Sequence, residues 1–135
     1  MVGDSLPEAI GTDLDGSFGQ APGTDSEGAA TLVSIAGDSF DATSPFAAES
    51  YDAAALILLA MQAAGSKNPA DYKGKVFDVA NAPGEQILPG ELAKGMEILA
   101  SGGEIDYVGA SNVELIGAGE SAGNYREITI KDAKI

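Results

Sequence analysis

The chain has neither histidine nor cysteine, so any chemistry it performs falls to carboxylates, hydroxyls, amines, amides and aromatic rings. Asp13-Leu14-Asp15-Gly16 resembles the opening of a calcium loop, in which carboxylates at alternate positions converge and a glycine makes the sharp turn. Ser17 would have to supply the third ligand and no glutamate closes the loop, so a solvated acidic turn before a strand is the plainer reading. Gly117-Ala118-Gly119-Glu120-Ser121-Ala122-Gly123 is rich in glycine, but its third spacing is wrong for a dinucleotide fingerprint and no strand-to-helix switch follows it. It reads as a hairpin loop whose glycines permit positive φ. Carboxylate pairs such as Glu104 with Asp106, or Glu85 with Glu91, have the groups for acid and base work, yet an acidic chain offers many such pairs and nothing selects one. A last set joins Gly3-Asp4-Ser5 to Phe46, Glu49, Ser50 and Tyr51. A carboxylate suits an ammonium group, a helix start suits an anion, and rings suit an apolar body, so this set fits recognition of a small polar ligand. Asp4 as a helix cap, with Phe46 and Tyr51 as core residues, is the competing account.

Composition narrows the classes further. The 135 residues are about one domain's worth of chain, and 21 acidic against 7 basic residues give a formal charge of −14. Nucleic acid and anionic membrane surfaces are therefore poor partners, since both are held by Lys and Arg. The missing cysteine and histidine remove disulfides, thiol catalysis, the usual general base and the common zinc ligands, which predicts a protein that is not an enzyme and needs no cofactor or metal. Residues 1–66 hold ten acids and no Lys or Arg, so the acidic excess lies mainly in the first half. Met1-Val2-Gly3-Asp4-Ser5 lacks the basic start and apolar run of a secretory signal, and none is expected in this chain. The apolar stretch Ala53 to Met61 falls well short of the ~20 residues that span a bilayer.

The elements that would position these residues are read from caps and periodicity. Pro7 suits the first turn of a brief helix ending at Gly11, capped by Asp4 or Ser5, and a short strand is predicted near 16–20. Residues 24–43 admit a helix from Ser26 to Ala36, but the β-branched Thr31, Val33 and Ile35 alternate as in a strand, and both readings stay open. Ser44 and Pro45 predict the cap and first position of a helix running over about 45–64 and stopping at Gly65. Tyr51, Ala54, Ala55, Leu58, Leu59 and Gln62 line one face of it, while Leu56, Ile57, Ala60 and Met61 leave almost no polar side, so burial nearly all round is expected. Further helices are predicted over 69–80, after Asn68-Pro69, and over 90–101, with Glu91 in its first turn. Strands follow near 112–116 and 125–130, joined by the glycine-rich loop.

Several blocks together carry a resemblance. They are Pro45-Phe46-Ala47-Ala48-Glu49-Ser50-Tyr51-Asp52-Ala53-Ala54-Ala55-Leu56, Val79-Ala80-Asn81-Ala82-Pro83-Gly84-Glu85, Pro89-Gly90-Glu91-Leu92 and Ala100-Ser101-Gly102-Gly103-Glu104-Ile105-Asp106-Tyr107-Val108-Gly109-Ala110. In this order, over about residues 1–132, the chain resembles the C-terminal part of branched-chain amino acid (Leu/Ile/Val-type) binding proteins of ABC importers, which are type I periplasmic binding proteins. The resemblance implies an α/β chain with part of that fold, forming one compact fragment over 1–135 of a two-lobed receptor that closes about a hinge. It implies an amino acid or similar small solute as ligand, a membrane permease as partner and a periplasmic or extracytoplasmic location. Asp4 matches the family's acidic residue for the ligand ammonium, Phe46 the aromatic bordering the ligand's side chain, and Tyr51 is a second candidate for that place. The groups for the ligand carboxylate are expected in a lobe outside this chain. Two departures bear on the isolated fold: Ala29 to Thr43 matches the family's helix poorly, and Gly117 to Gly123 replaces its usual turn. The second apolar face of the 45–64 helix lacks sheet to pack on, which predicts self-association or rearranged packing. A small acidic structural domain or oligomer without a ligand, and a domain stabilised by calcium at Asp13 and Asp15, are the alternatives.

Overall fold

The computed structural model describes residues 5–23, 25–117 and 119–135, so Asp4 lies outside the described residues. In chain order the elements are α1 (Ser5–Ile10), β1 (Phe18–Pro22), α2 (Glu27–Ala36), α3 (Ala47–Ala64), α4 (Pro69–Tyr72), α5 (Lys75–Ala80), β2 (Glu85–Ile87), α6 (Leu92–Ala100), β3 (Ile105–Tyr107), β4 (Leu115–Gly117), β5 (Glu120–Ser121) and β6 (Tyr125–Thr129). The fold class is α/β, as the sequence predicts, with three separate two-stranded sheets among the described residues. The chain groups into two compact units. One is the stretch up to Pro22 with Tyr125–Ile135, the other Gly23–Asn124.

In the smaller unit α1 runs into a 3-10 turn at Gly11–Leu14, and β1 pairs antiparallel with β6 from Phe18↔Thr129 to Pro22↔Tyr125. The strand predicted at 125–130 therefore has β1 as its partner, not the strand before it. The intervening glycine-rich segment instead folds back locally: β4 pairs with β5, and Gly119 takes φ +91° in the turn.

The larger unit is built around α3. One stripe of α3, Asp52, Ala55, Leu56, Leu59 and Ala60, is buried against Val79 and Ala80 of α5 and against Ile87, Ile105 and Tyr107 of the sheet. These positions recur at intervals of three and four, the period of a helix with a single buried face. The opposite face, Ala53, Ala54, Ile57 and Leu58, is exposed, which corrects the expectation of burial nearly all round. The reason is that the elements packed on α3 among the described residues, α4, α5 and α6 together with Ile87, Ile105 and Tyr107 of β2–β3, cover a single stripe of it. No described helix is long and apolar enough to cross a membrane.

Helix boundaries follow local chemistry. Gly65 closes α3 in the left-handed region at φ +60°, and Asn68 caps α4 by accepting from Ala70 N at 3.1 Å. The helix predicted over 69–80 breaks at Lys73-Gly74 into α4 and α5, as the backbone freedom of glycine favours. Ser44 does not cap α3. Its hydroxyl donates to Asp41 Oδ2 at 2.9 Å, and Thr43 gives its N–H and hydroxyl to Oδ1 at 2.9 and 2.6 Å. These donors hold the Asp41 carboxyl below the usual carboxylate range. Glu91 stands just before α6 and its Oε2 accepts from Leu88 N at 2.9 Å, closing the turn that leads into the helix.

Within the undecided segment, Glu27–Ala36 is helical. Ser26 caps α2 by accepting from Ala29 N at 3.0 Å, and Gly28, Leu32 and Ala36 form its buried stripe, while Val33 and Ile35 face outward. Gly28 is required there because a Cβ would overlap the Gly109 carbonyl oxygen. Gly28→Ala gains about 1 kcal/mol of helix propensity, but the overlap is with backbone and no rotamer relieves it. The expected result is a net loss of about 2 kcal/mol in urea denaturation.

Candidate functional site

The N-terminal turns of α3 hold the residues of interest. Phe46 precedes the helix at φ 67°, ψ 7°, and its carbonyl accepts from Ser50 N at 2.9 Å. A bulky residue in the left-handed region costs roughly 1–2 kcal/mol, and such strain gathers at functional positions. The ring is 49% exposed, so it is not the core residue that the competing account requires. Tyr51 lies half-buried, and its hydroxyl accepts from Gly90 N at 3.0 Å, where Gly90 has φ +87°. That contact uses a lone pair of the phenol and not its hydrogen. Phe46 and Tyr51 therefore share one helix end, and Tyr51 also fastens the turn before α6.

The most committed side chain here is one that sequence reasoning passed over. Asp52, 2% exposed, accepts on Oδ1 from the Tyr107 hydroxyl (2.8 Å) and Ala110 N (2.8 Å), and on Oδ2 from Ser111 N (2.7 Å) and Ser111 Oγ (2.6 Å). Four donors on one carboxylate replace its hydration shell, which is what makes burial of the charge tolerable. Burial, and then the charge of Asp52, push the Tyr107 phenol well above its ordinary value near 10. Gly109, at φ +62°, passes so close to the Asp52 carboxylate and Tyr107 ring that no Cβ fits. Ser26 Oγ donates to Ala110 O and Asn124 Nδ2 to Ser111 O, both at 3.1 Å, completing the cage around the 107–111 loop. The signal was present: Asp52 sits on the stripe of Ala55, Leu56 and Leu59, and a charge on an apolar stripe must find partners.

A second polar clamp lies at Asn81. Its amide donates to Leu115 O (2.8 Å) and Glu114 Oε1 (3.0 Å) and accepts from Leu115 N (3.1 Å), acting toward β4 as a strand's backbone would. Beside it is a cleft of about 520 Å³ lined by Ala63, Phe77, Val79, Pro83, Leu99 and Ile105, with Lys75, Asp78 and Glu104 among its polar residues. It adjoins the C-terminal end of α3 and contains none of the predicted site residues.

Among the described residues no three carboxylates gather as a metal site. Asp15 Oδ1 accepts from Ala133 N at 3.1 Å, a structural use of that carboxylate.

Over 92 residues, 67% of this chain, the sequence is 35% identical to the chemotactic signal transduction system substrate-binding protein BasB of Halobacterium salinarum (strain ATCC 29341 / DSM 671 / R1). The aligned part is 22% of that protein, so the chain spans about a fifth of the relative's length. No family model and no solved structure matches the chain.

Proposed function

We propose that the chain is part of the solute-binding component of an ABC importer, taking an amino acid of the branched-chain type or a similar small polar solute. The observation that carries the reading is Phe46, a half-exposed aromatic held in a strained backbone conformation at the start of an 18-residue helix. By the resemblance, the Phe46 ring borders the ligand's side chain, Tyr51 is a second candidate for that place, and Asp4 binds the ligand ammonium. The ordered sequence blocks and the similarity to a substrate-binding protein support the same class. The site binds and releases its solute unchanged, outside the cytoplasm. It hands the solute to a membrane permease or, as the relative's name suggests, reports it to a chemotaxis receptor.

Thermal melting of the chain with L-leucine, L-isoleucine, L-valine and a wider amino acid panel tests this. A ligand that binds only the native state adds about 2.7 kcal/mol at a hundred times its Kd, which is several degrees in Tm. Phe46→Gly relieves the left-handed strain, so its stability without ligand is expected to equal or exceed that of the wild type by up to about 1 kcal/mol, while its affinity falls about tenfold. No shift with any amino acid overturns the reading. A shift with calcium alone would transfer attention to Asp13 and Asp15.

A further inference from the structure

Tyr51 and Asp52 are consecutive, and each holds the loop that follows one strand of the parallel pair. Tyr51 takes the N–H of Gly90, three residues beyond the end of β2. Asp52 takes the hydroxyl of Tyr107, the last residue of β3, and the N–H groups of Ala110 and Ser111 beyond it. Because β2 and β3 run parallel with Ile87 opposite Tyr107, both loops leave from the same carboxyl end. Ile87 O ties them together by accepting from Val108 N and Gly109 N at 3.1 and 3.2 Å. In open α/β sheets, ligands sit outside the carboxyl ends of the strands. Phe46 lies six residues before Asp52, about 9 Å along the helix.

We propose that Asp52 is a positioning residue of the ligand site, which with Tyr51 staples both carboxyl-end loops to the first turns of α3 and so fixes the surface on which the solute is received. This rests on the solute-binding reading above. Asp52 does not meet the solute, since it is 2% exposed and each of its oxygens already carries two donors. It acts through Ser111, whose N–H and hydroxyl donate to Asp52 and whose carbonyl accepts from Asn124 Nδ2. Only a carboxylate serves, because an asparagine would turn an N–H toward the N–H of Ala110 or Ser111 whichever way its amide is flipped.

The test compares the wild-type chain with Asp52→Asn, Ser111→Ala and Asn81→Ala at a temperature where circular dichroism shows each folded. Affinity for L-leucine, L-isoleucine and L-valine is read by calorimetry, and backbone protection by amide hydrogen exchange. Asp52→Asn is expected to weaken binding by at least about tenfold and Ser111→Ala by about threefold. Asn81→Ala, which loses its clamp on Leu115 instead, lowers Tm with affinity unchanged. Asp52→Asn also speeds exchange at Gly90, although that amide is bonded to Tyr51. If the wild type binds and Asp52→Asn lowers Tm with affinity intact, the residue is merely structural and the proposal is overturned. Should Asp52→Asn fail to fold, Ser111→Ala carries the same two readouts. If the wild type binds none of the three amino acids, the solute reading falls, and the staple is then decided by Gly90 exchange, unchanged protection overturning it.

Discussion

Asp52→Ala is expected to destabilise the chain by about 3–5 kcal/mol, the range found when one member of a buried charge-assisted network is removed. The deletion leaves the Tyr107 hydroxyl, Ala110 N, Ser111 N and Ser111 Oγ without their acceptor. A buried donor without a partner costs about 1–3 kcal/mol, so four of them would come to about 4–12 kcal/mol if all stayed dry. Two effects reduce the sum: the desolvation cost of the carboxylate disappears, and the half-buried Ser111 turns toward water. The two backbone N–H groups have least freedom to adapt, which keeps the loss at the stated range. Against a typical domain stability of about 5–15 kcal/mol, this brings the chain close to unfolding at 37 °C, and urea denaturation measures it. A loss below about 1 kcal/mol would show that the cage does not hold the 107–111 loop. Alkaline pH probes the same cage from the other side. The Tyr107 pKa is raised by burial and by Asp52, so its contribution is fully present below the unfolded value near 10 and is lost as pH rises above it.

Which features could be read from the sequence depended on whether they were local. The end of α3 at Gly65 and the start of α4 after Asn68 each rest on a residue whose own conformation makes the boundary. The strands β2 and β3 are only three residues long, too short for the burial of Ile105 and Tyr107 around Asp106, or of Ile87 alone in β2, to stand out as a strand pattern in the sequence. In α2 the misleading feature was the alternation of Thr31, Val33 and Ile35. The informative one was Gly28, Leu32 and Ala36 at intervals of four, which makes sense only beside the 109–110 backbone that Gly28 lets in. The same division runs through the site. Phe46 and Tyr51 were visible as aromatics near a helix start, but the left-handed backbone of Phe46 has no local signature in a residue other than glycine. The tie from Tyr51 to Gly90 spans 39 positions, and that from Asp52 to Ser111 spans 59. Such partners are set by how α3 lies on the sheet, information the α3 segment does not contain by itself.

Raising salt is expected to stabilise this chain strongly, with Tm climbing by about 10 °C between 10 mM and 1 M KCl at pH 7, on the order of 3 kcal/mol. The cause is the formal charge of −14, carried by 21 acids against 7 basic residues. The ion pairs seen among the described residues use two lysines, Lys75 with Asp78 and Lys94 with Glu85 and Glu91, and all lie exposed, where a pair contributes about 0–1 kcal/mol. Salt weakens those few attractions while also weakening the repulsion among the unmatched carboxylates, and the excess of acids decides the sign. Compaction is what brings these charges together, so the folded state gains more from screening than the expanded one. The shape of the curve separates screening from the general strengthening of apolar burial by salt. The Debye length falls from about 30 Å at 0.01 M to about 10 Å at 0.1 M and 3 Å at 1 M, so screening is largely complete before 1 M. A gain concentrated below about 0.5 M supports charge repulsion as the dominant instability. A rise that continues linearly into the molar range, or a fall at low salt, would instead place the limit on stability in the exposed apolar face of α3, where Ile57 and Leu58 lie open to water.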